Sequence, residues 1–322
     1  MFTEKTLIIL GAGASVFAGY PTGEKLVTQL IEKAKIKSPD FSKRLSEIHP
    51  LSIDMFLSYQ REFSDIGKTL IADVILDQEA PAESTVIENK DECLYRYLVD
   101  ALISSCHEPG DLLKNNDNLV IVTFNYDLSL EHYLYSRLKK ISFFNEVVDE
   151  FLSDVKIYHV YGQLGYFPWH QKFVEGSYES MPHCRKNNED YGKGFDIFER
   201  QGIAKNIQII GTVKWSDSAP KHIGSIRSHM SEARRVYAFG FGFYEENMEL
   251  IGLSNSVLHR TMNTDARTRL QFYYTNFENH QKIDNRFLKR HADWLKLANN
   301  NQRVYKSVNA VHEALAKDFD LI

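Results

Sequence analysis

The sequence predicts an α/β fold: a Rossmann-like parallel six-stranded sheet with helices on both faces and a helical insertion after the first strand. Short apolar runs bounded by turn signals indicate buried strands, and the helical patterns between most of them are long enough to be crossovers. Strands that are apolar on both faces are typical of a parallel sheet covered on both sides. One long stretch with helical signals alone indicates the insertion.

Six runs are expected to form the strands of the sheet, and two segments between the later runs have the spacing of crossover helices, Ala219–Arg235 and Glu245–Leu258. The expected strands are Thr6–Leu10, Leu119–Thr123, Lys156–Val160, Ile207–Gly211, Val236–Phe241 and Leu270–Thr275. One domain over residues 1–322 accommodates all of them.

The rest of the chain divides into three expected regions: the helical insertion at residues 24–118, an irregular lobe at residues 161–206 and C-terminal helices at residues 284–322. The acidic, Pro-containing stretch Asp77–Asp91 is expected to be a loop within the insertion. The expected helices are Lys25–Ile36, Ile53–Phe63, Asp65–Glu79, Glu92–His107, Asn285–Leu297 and Val304–Phe319.

Composition excludes several function classes. The 322 residues carry a net charge of -5, so no basic excess favours direct nucleic-acid binding. No apolar run approaches the roughly 20 residues that span a bilayer, and no signal peptide is visible, so we expect a cytoplasmic protein without a membrane partner. Only three cysteines are present and none forms a Cys-x-x-Cys pair, which excludes a four-cysteine zinc site.

The first strand runs directly into a turn of small residues, Gly11, Ala12, Gly13, Ala14 and Ser15. Small residues let the backbone approach a diphosphate with helix N–H groups directed at its charge, although a plain tight turn explains the glycine pair equally well. Val16 stands where the dehydrogenase fingerprint needs a third glycine, so hydride transfer fits poorly. Pro21 and Thr22 begin a loop that can cover a nucleotide, and Thr22 is also a candidate N-cap.

Polar side chains follow the next two strands. Asn125 and Asp127 stand where ligands bind in an open α/β sheet, with capping of the next helix as the alternative for Asp127. His159 ends the third strand, where a histidine can act as a general base, although a structural role is the commoner one. Residues two apart on a strand share a face, so His159 and Tyr161 are expected to address one pocket.

The later strands supply further candidates for binding. Gly240 and Gly242 permit close backbone approach to a ribose, or serve a packed strand-to-helix turn. Asn247 follows and can close over the ribose, and Asn276 at the end of the last strand can touch the adenine edge.

Together these motifs resemble the SIR2-like (sirtuin-related) family, in particular its bacterial branch of NAD⁺ hydrolases in antiphage defence. The resemblance covers most of the chain. It rests on five segments in order: Gly11–Ser15 with Gly19–Pro21, Ser52–Leu57, Thr123–Asp127, His159–Gly162, and Phe239–Phe243 with Glu246 and Asn247.

The resemblance implies that NAD⁺ is the substrate and that its nicotinamide–ribose bond is hydrolysed. The glycine turn then binds the diphosphate, Asn125 positions ribose or water, Asp127 stands near the nicotinamide, and His159 serves as base. Many relatives have histidine immediately before the glycine of the third motif, where Tyr161 stands here. Either His159 takes that role, or the domain is a nucleotide-binding sensor or scaffold with a degenerate site.

The resemblance also bears on metals and partners. Sirtuin deacylases carry a four-cysteine zinc module where this chain has only His170, His183 and Cys184, so no metal is expected and NAD⁺-dependent deacylation becomes less favoured. An unregulated NAD⁺ hydrolase would poison its own cell. We therefore expect control by a homo-oligomer, a separately encoded sensor or regulatory protein, or a small nucleotide signal.

Overall fold

The computed structural model of the chain describes residues 2–88, 94–173, 185, 190–209, 221–262, 265, 269–276, 281–285, 304–309 and 313–315. The strands are β1 (Thr6–Leu10), β2 (Leu119–Thr123), β3 (Lys156–His159), β4 (Arg235–Phe239), β5 (Gln271–Thr275) and β6 (Val304–Ser307). The helices are α1 (Gly23–Lys37), α2 (Pro39–Ile48), α3 (Ile53–Tyr59), α4 (Ser64–Glu88), α5 (Leu94–Ile103), α6 (Ser129–Lys139), α7 (Val148–Asp154), α8 (Ile197–Ala204), α9 (Lys221–Glu232), α10 (Glu245–Leu250) and α11 (Asn255–His259).

The six strands form one sheet in the order β3-β2-β1-β4-β5-β6, and every neighbouring pair is parallel. All residues of β1 and β2 are buried, so both faces of the sheet centre are covered. This is the strand order of a doubly wound Rossmann-like sheet, which confirms the expected fold class. Leu10 lies beside Thr123 and Phe239, so β1, β2 and β4 end at one level.

The sixth strand is not the one expected from the sequence. Ile207–Gly211 is not a strand where the structure describes it, because residues 207–209 have no regular secondary structure. Gln208 N–H instead donates to Tyr161 O at 2.9 Å, which closes the lobe beside β3. The sheet is completed by β6, in a segment expected to be helical. Tyr305 of β6 stacks on Tyr273 at 4.5 Å, a cross-strand aromatic pair that favours the extended state.

Helices α1 to α5 fill the interval between β1 and β2, as expected for the insertion. Helix α1 buries Leu26, Val27, Leu30 and Ala34, an apolar stripe at helical spacing. Two details differ from expectation. Helix α2 was missed, and α4 continues to Glu88 through most of the expected loop Asp77–Asp91, with Pro81 inside it.

The lobe at residues 161–206 is joined to α4 by a buried ion pair. Arg185 Nη2 donates to Glu79 Oε1 at 2.6 Å, and each side chain is only 1% exposed. The ion pair therefore fixes the lobe to α4 at Glu79, the residue where the expected helix ends. The lobe also contains α8, so it is less irregular than expected.

Two expected C-terminal elements also change. Glu245–Leu258 divides into α10 and α11, because Gly252 takes a positive φ of 74° between them. Of the expected helices at residues 284–322, Val304–Phe319 begins as β6, and Asn285–Leu297 lies outside the described residues beyond its first residue. Among the described helices, none combines the length and the apolar character that a membrane crossing requires.

Candidate functional site

The candidate site lies where the strand order reverses. From β1 the chain adds β2 and β3 on one side, and it then crosses over to add β4, β5 and β6 on the other side. In open α/β sheets the crevice outside the carboxyl ends of such strands is where ligands bind. The loops after β1, β2, β3 and β4 meet there, and they carry most of the residues singled out in the sequence.

The glycines after β1 and β4 allow two backbones to touch. Gly11 N–H donates to Phe239 O at 2.9 Å, and Gly13 N–H donates to Gly240 O at 3.2 Å. A Cβ at Gly11 would lie 2.4 Å from Gly240 O, and Gly240 itself has a positive φ of 58°. The packing alternative therefore accounts for all three glycines.

This contact corrects the expected use of the turn. The N–H groups of Gly11 and Gly13 donate to the β4 loop and are not directed at a ligand. Ala14 N–H likewise donates to Gly11 O at 2.9 Å, and Ala12 begins a 3₁₀ segment that ends at Ala18, not an α-helix. A phosphate at this crevice therefore cannot be held by those three groups.

A chain of hydrogen bonds joins this turn to the end of β2. Asn125 Nδ2 donates to Ser15 Oγ at 2.8 Å, Ser15 Oγ pairs with Tyr95 OH at 3.1 Å, and Tyr95 OH pairs with Ser129 Oγ at 2.9 Å. Ser129 Oγ donates to Asp127 Oδ1. A hydroxyl has one proton, and Ser129 gives its proton to Asp127, so Tyr95 donates to Ser129 and Ser15 donates to Tyr95.

That direction sets the orientation of the Asn125 amide. Because Ser15 donates to Tyr95, its oxygen accepts from Asn125, and the nitrogen of the amide must face it. Asn125 Oδ1 is buried and has no hydrogen-bond partner in the part of the chain that the structure describes. Tyr95, from α5 of the insertion, was not singled out in the sequence because nothing local distinguishes it.

Asp127 lies one residue before the N-cap of α6, Leu128, and bonds to the first helical residue, which is close to the capping alternative that the sequence left open. Its Oδ1 accepts from the N–H of Ser129 at 3.1 Å, at the start of α6. Burial raises the pKa of this carboxyl, although its hydrogen bonds with Ser129 lower it in part. Asp127 therefore acts on the site through Ser129 and Tyr95.

His159 is held inside the protein by both ring nitrogens. Nδ1 lies 2.8 Å from Asn125 O, and Nε2 lies 2.7 Å from Glu131 Oε1, with side chains 3% and 1% exposed. Burial alone would lower the pKa of His159, but Glu131 raises it above its ordinary value. Burial alone would raise the pKa of Glu131, but His159 lowers it. The two form a buried ion pair, so neither nitrogen is available to deprotonate water.

Tyr161 lies on the other side of this connection and faces α10. Its hydroxyl donates to Asn247 Oδ1 at 2.6 Å, and its ring contacts Phe124 edge-on at 5.8 Å between centroids. Phe124 in turn lies 5.0 Å from Phe241. The expectation that His159 and Tyr161 address one pocket is wrong because β3 ends at His159, and the strand alternation does not reach Tyr161.

An acidic residue of the insertion reaches the same loops. Tyr126 OH donates to Asp54 Oδ1, and Asp54 stands in the first turn of α3. Burial raises the pKa of Asp54 to about 6, although the bond from Tyr126 lowers it in part. The sequence signal was the segment Ser52–Leu57, which entered only through its resemblance.

The remaining candidates are less central. Thr22 occupies the N-cap position of α1 but its side chain makes no capping bond, and Pro21 precedes it. Gly242 lies against the Tyr244 ring. Asn276 is fully buried and its amide donates to Asp284 at 2.9 Å. It therefore does not reach an adenine edge, contrary to the expectation from the sequence.

The described residues contain no group of three His, Cys, Asp or Glu side chains that could hold a metal ion. His170 Nδ1 accepts from the N–H of Phe167 at 2.9 Å, whereas His183 and Cys184 lie outside the described residues.

Comparison with known proteins adds no assignment, since no family model and no curated protein matches the chain.

Proposed function

We propose that this chain binds NAD⁺ in the crevice outside the carboxyl ends of β1, β2 and β4 and hydrolyses its nicotinamide–ribose bond. The observation that carries the proposal is the Asn125 amide, whose nitrogen is held by Ser15 while Oδ1 is buried with no partner among the described residues. Leaving a buried acceptor unpaired costs about 1–3 kcal/mol. A ribose hydroxyl or a water molecule at Oδ1 would remove that cost.

The chemistry asks for placement more than for strong acid catalysis. Nicotinamide leaves as a neutral ring, and the transition state resembles an oxocarbenium ion. The site must hold the ribose and a water molecule and must offer a negative or dipolar group. Asn125 supplies the placement, and the partly exposed ring of Phe124, which packs against Tyr161 and Phe241, offers apolar surface for a planar leaving group.

A second function, nucleotide sensing without turnover, is favoured by one observation. His159 uses both ring nitrogens internally, and the Tyr161 hydroxyl donates to Asn247, so neither is free to act as base. As a hydrolase, the protein would need its activity controlled. Control by a homo-oligomer or by a regulatory partner in antiphage defence, which the resemblance implies, is part of the proposed hydrolase function.

The test compares Asn125→Ala with Asn145→Ala, whose side chain is exposed between α6 and α7. Nicotinamide and ADP-ribose are measured by chromatography after incubation with NAD⁺, and binding is measured by calorimetry. We expect Asn125→Ala to lose about 100-fold in rate, as for other positioned polar groups, and the control to match wild type. Equal nicotinamide release from Asn125→Ala would sink the assignment. Binding by wild type without release would favour the sensor, and release only with an acyl-peptide would favour a deacylase.

A further inference from the structure

The helical insertion places a carboxyl group beside the residues that follow β2. Asp54, at the start of α3, accepts a hydrogen bond from Tyr126 OH. Tyr126 stands in the chain between Asn125, whose side chain reaches Ser15, and Asp127, which ends the hydrogen-bond chain. Asp54 is partly exposed, so solvent reaches the residue.

No cation among the described residues pairs with this carboxyl. The described residues include no Lys, Arg or His that forms an ion pair with Asp54, and the pKa of Asp54 is shifted by burial and by hydrogen bonds, not by a charge on α1, α4 or Arg61–Phe63, which pack on α3. Burial raises the pKa of Tyr161, and the nearby carboxyl groups of Asp54 and Glu246 raise it further. The hydroxyls of Tyr126 and Tyr161 therefore lie near Asp54.

Three other ionisable side chains at the strand ends, those of His159, Asp127 and Tyr161, are engaged elsewhere. Both nitrogens of His159 are bonded, to Glu131 and to the Asn125 main chain. Asp127 accepts twice from Ser129, and the Tyr161 hydroxyl donates to Asn247. Asp54 has one described side-chain bond, from Tyr126, and the carboxylate can still accept a proton.

We propose that Asp54 is the carboxyl that takes a proton from the attacking water, so that the insertion supplies the base. This rests on the proposed function. The water oxygen bonds to C1′ of the nicotinamide ribose, and the C1′–N bond breaks with its electron pair passing to nicotinamide. The water proton passes to the Asp54 carboxylate and then to solvent. The products are ADP-ribose and neutral nicotinamide. A pKa of about 6 suits this exchange near neutral pH.

The first test is Asp54→Asn, which keeps an acceptor for Tyr126 but removes the base. Loss of a general base typically costs about 100-fold or more, so we expect that fall in nicotinamide release. NAD⁺ affinity by calorimetry should stay near wild type. The matched control is Asp65→Asn, an exposed carboxyl in the first turn of α4, which should cleave normally. Wild-type cleavage by Asp54→Asn would overturn the inference.

The second test uses pH and remains available if Asp54→Asn does not fold. The wild-type kcat/KM should rise with pH through about 6 and then level off. Tyr126→Phe removes a bond that lowers the pKa of Asp54, so the same rise should move to higher pH. A wild-type profile without this rise, or a Tyr126→Phe profile that does not move, contradicts the role of Asp54.

Failure of the inference and failure of the proposed function give different results. If wild type binds and cleaves NAD⁺ but Asp54→Asn and the pH profile show no effect, only the role of Asp54 is refuted. If wild type neither binds nor cleaves NAD⁺ at any pH between 5 and 9, the proposed function fails and the inference falls with it.

Discussion

The buried pair of His159 and Glu131 leads to the sharpest stability prediction. Their side chains are 3% and 1% exposed and 2.7 Å apart, so removing one partner leaves the other uncompensated in the core. Breaking such a pair costs about 3–5 kcal/mol, which is a large part of the 5–15 kcal/mol that stabilises a typical domain. We therefore expect Glu131→Leu and His159→Leu each to lose about 3–5 kcal/mol in free energy of unfolding.

The double variant His159→Leu/Glu131→Leu should lose far less than the two single losses combined. Replacing both partners by apolar residues is often close to neutral, although the carbonyl of Asn125 loses its bond with the imidazole. Urea unfolding followed by circular dichroism gives all four free energies, and we expect a coupling of about 3 kcal/mol or more. Single variants that each cost under about 1 kcal/mol and add without coupling would refute a buried ion pair.

The stability that the His159–Glu131 pair contributes depends on pH in a definite direction. The pKa of Glu131 is lowered from 4.5, so its contribution is present above that value and is lost as pH falls through the lowered pKa. The pKa of His159 is raised from 6.5, so its contribution is complete below that value and is lost as pH rises through the raised pKa. The free energy of unfolding of wild type, relative to that of the double variant, should therefore be highest between pH 4.5 and 6.5.

Two further predictions concern the turn and the hydrogen-bond chain. Gly240→Ala should lower Tm and weaken NAD⁺ binding, because a Cβ there would lie 2.3 Å from Ala14 N at a positive φ. The control is Gly224→Ala, an exposed position in α9 with no atom within 4 Å of the added carbon, and it should gain about 0.5–1 kcal/mol in free energy of unfolding. Equal changes in Tm for the two variants by calorimetry would contradict the packing argument. Tyr95→Phe should cost about 1–3 kcal/mol and slow nicotinamide release, because Ser15 and Ser129 lose their shared partner. Tyr97→Phe on the same helix is the control, and equal rates from both variants would show that the chain does not orient Asn125.

The sheet could be predicted largely from local sequence. The predicted bounds of β1 and β2 are confirmed, because five consecutive apolar or β-branched residues bounded by turns are typical of a strand buried on both faces. β6 could not be found this way, because Val304–Ser307 is short and gains its extended state from pairing with β5. The predicted helix ended at Glu79 because the acidic stretch with Pro81 indicated a loop, whereas α4 continues to Glu88. Its contact with the lobe through Glu79 could not be predicted either, since Arg185 lies 106 positions away.

The candidate site, like the fold, could be predicted only where local sequence and strand order were enough. Residues at strand ends, such as Asn125 and Tyr161, could be located because topology alone brings the ends of parallel strands together. Where His159 points could not be predicted, because its partner Glu131 lies on α6 and neither residue has a local signal for the pair. The glycines were recognised, but their contact with the β4 loop depends on strands that are distant in sequence.

The insertion therefore contributes contacts to the candidate site. Tyr95 of α5 bonds to the residues that orient Asn125, and Asp54 of α3 accepts from Tyr126, so two of its helices contact the residues that follow β2. Each contact is a single buried or partly buried hydrogen bond, which depends on a few tenths of an ångström. A shift of the insertion against the sheet would break both together, removing the orientation of the amide and the placement of the carboxyl in one step. The sheet ends supply Asn125, but the packing of the insertion decides how its amide is held.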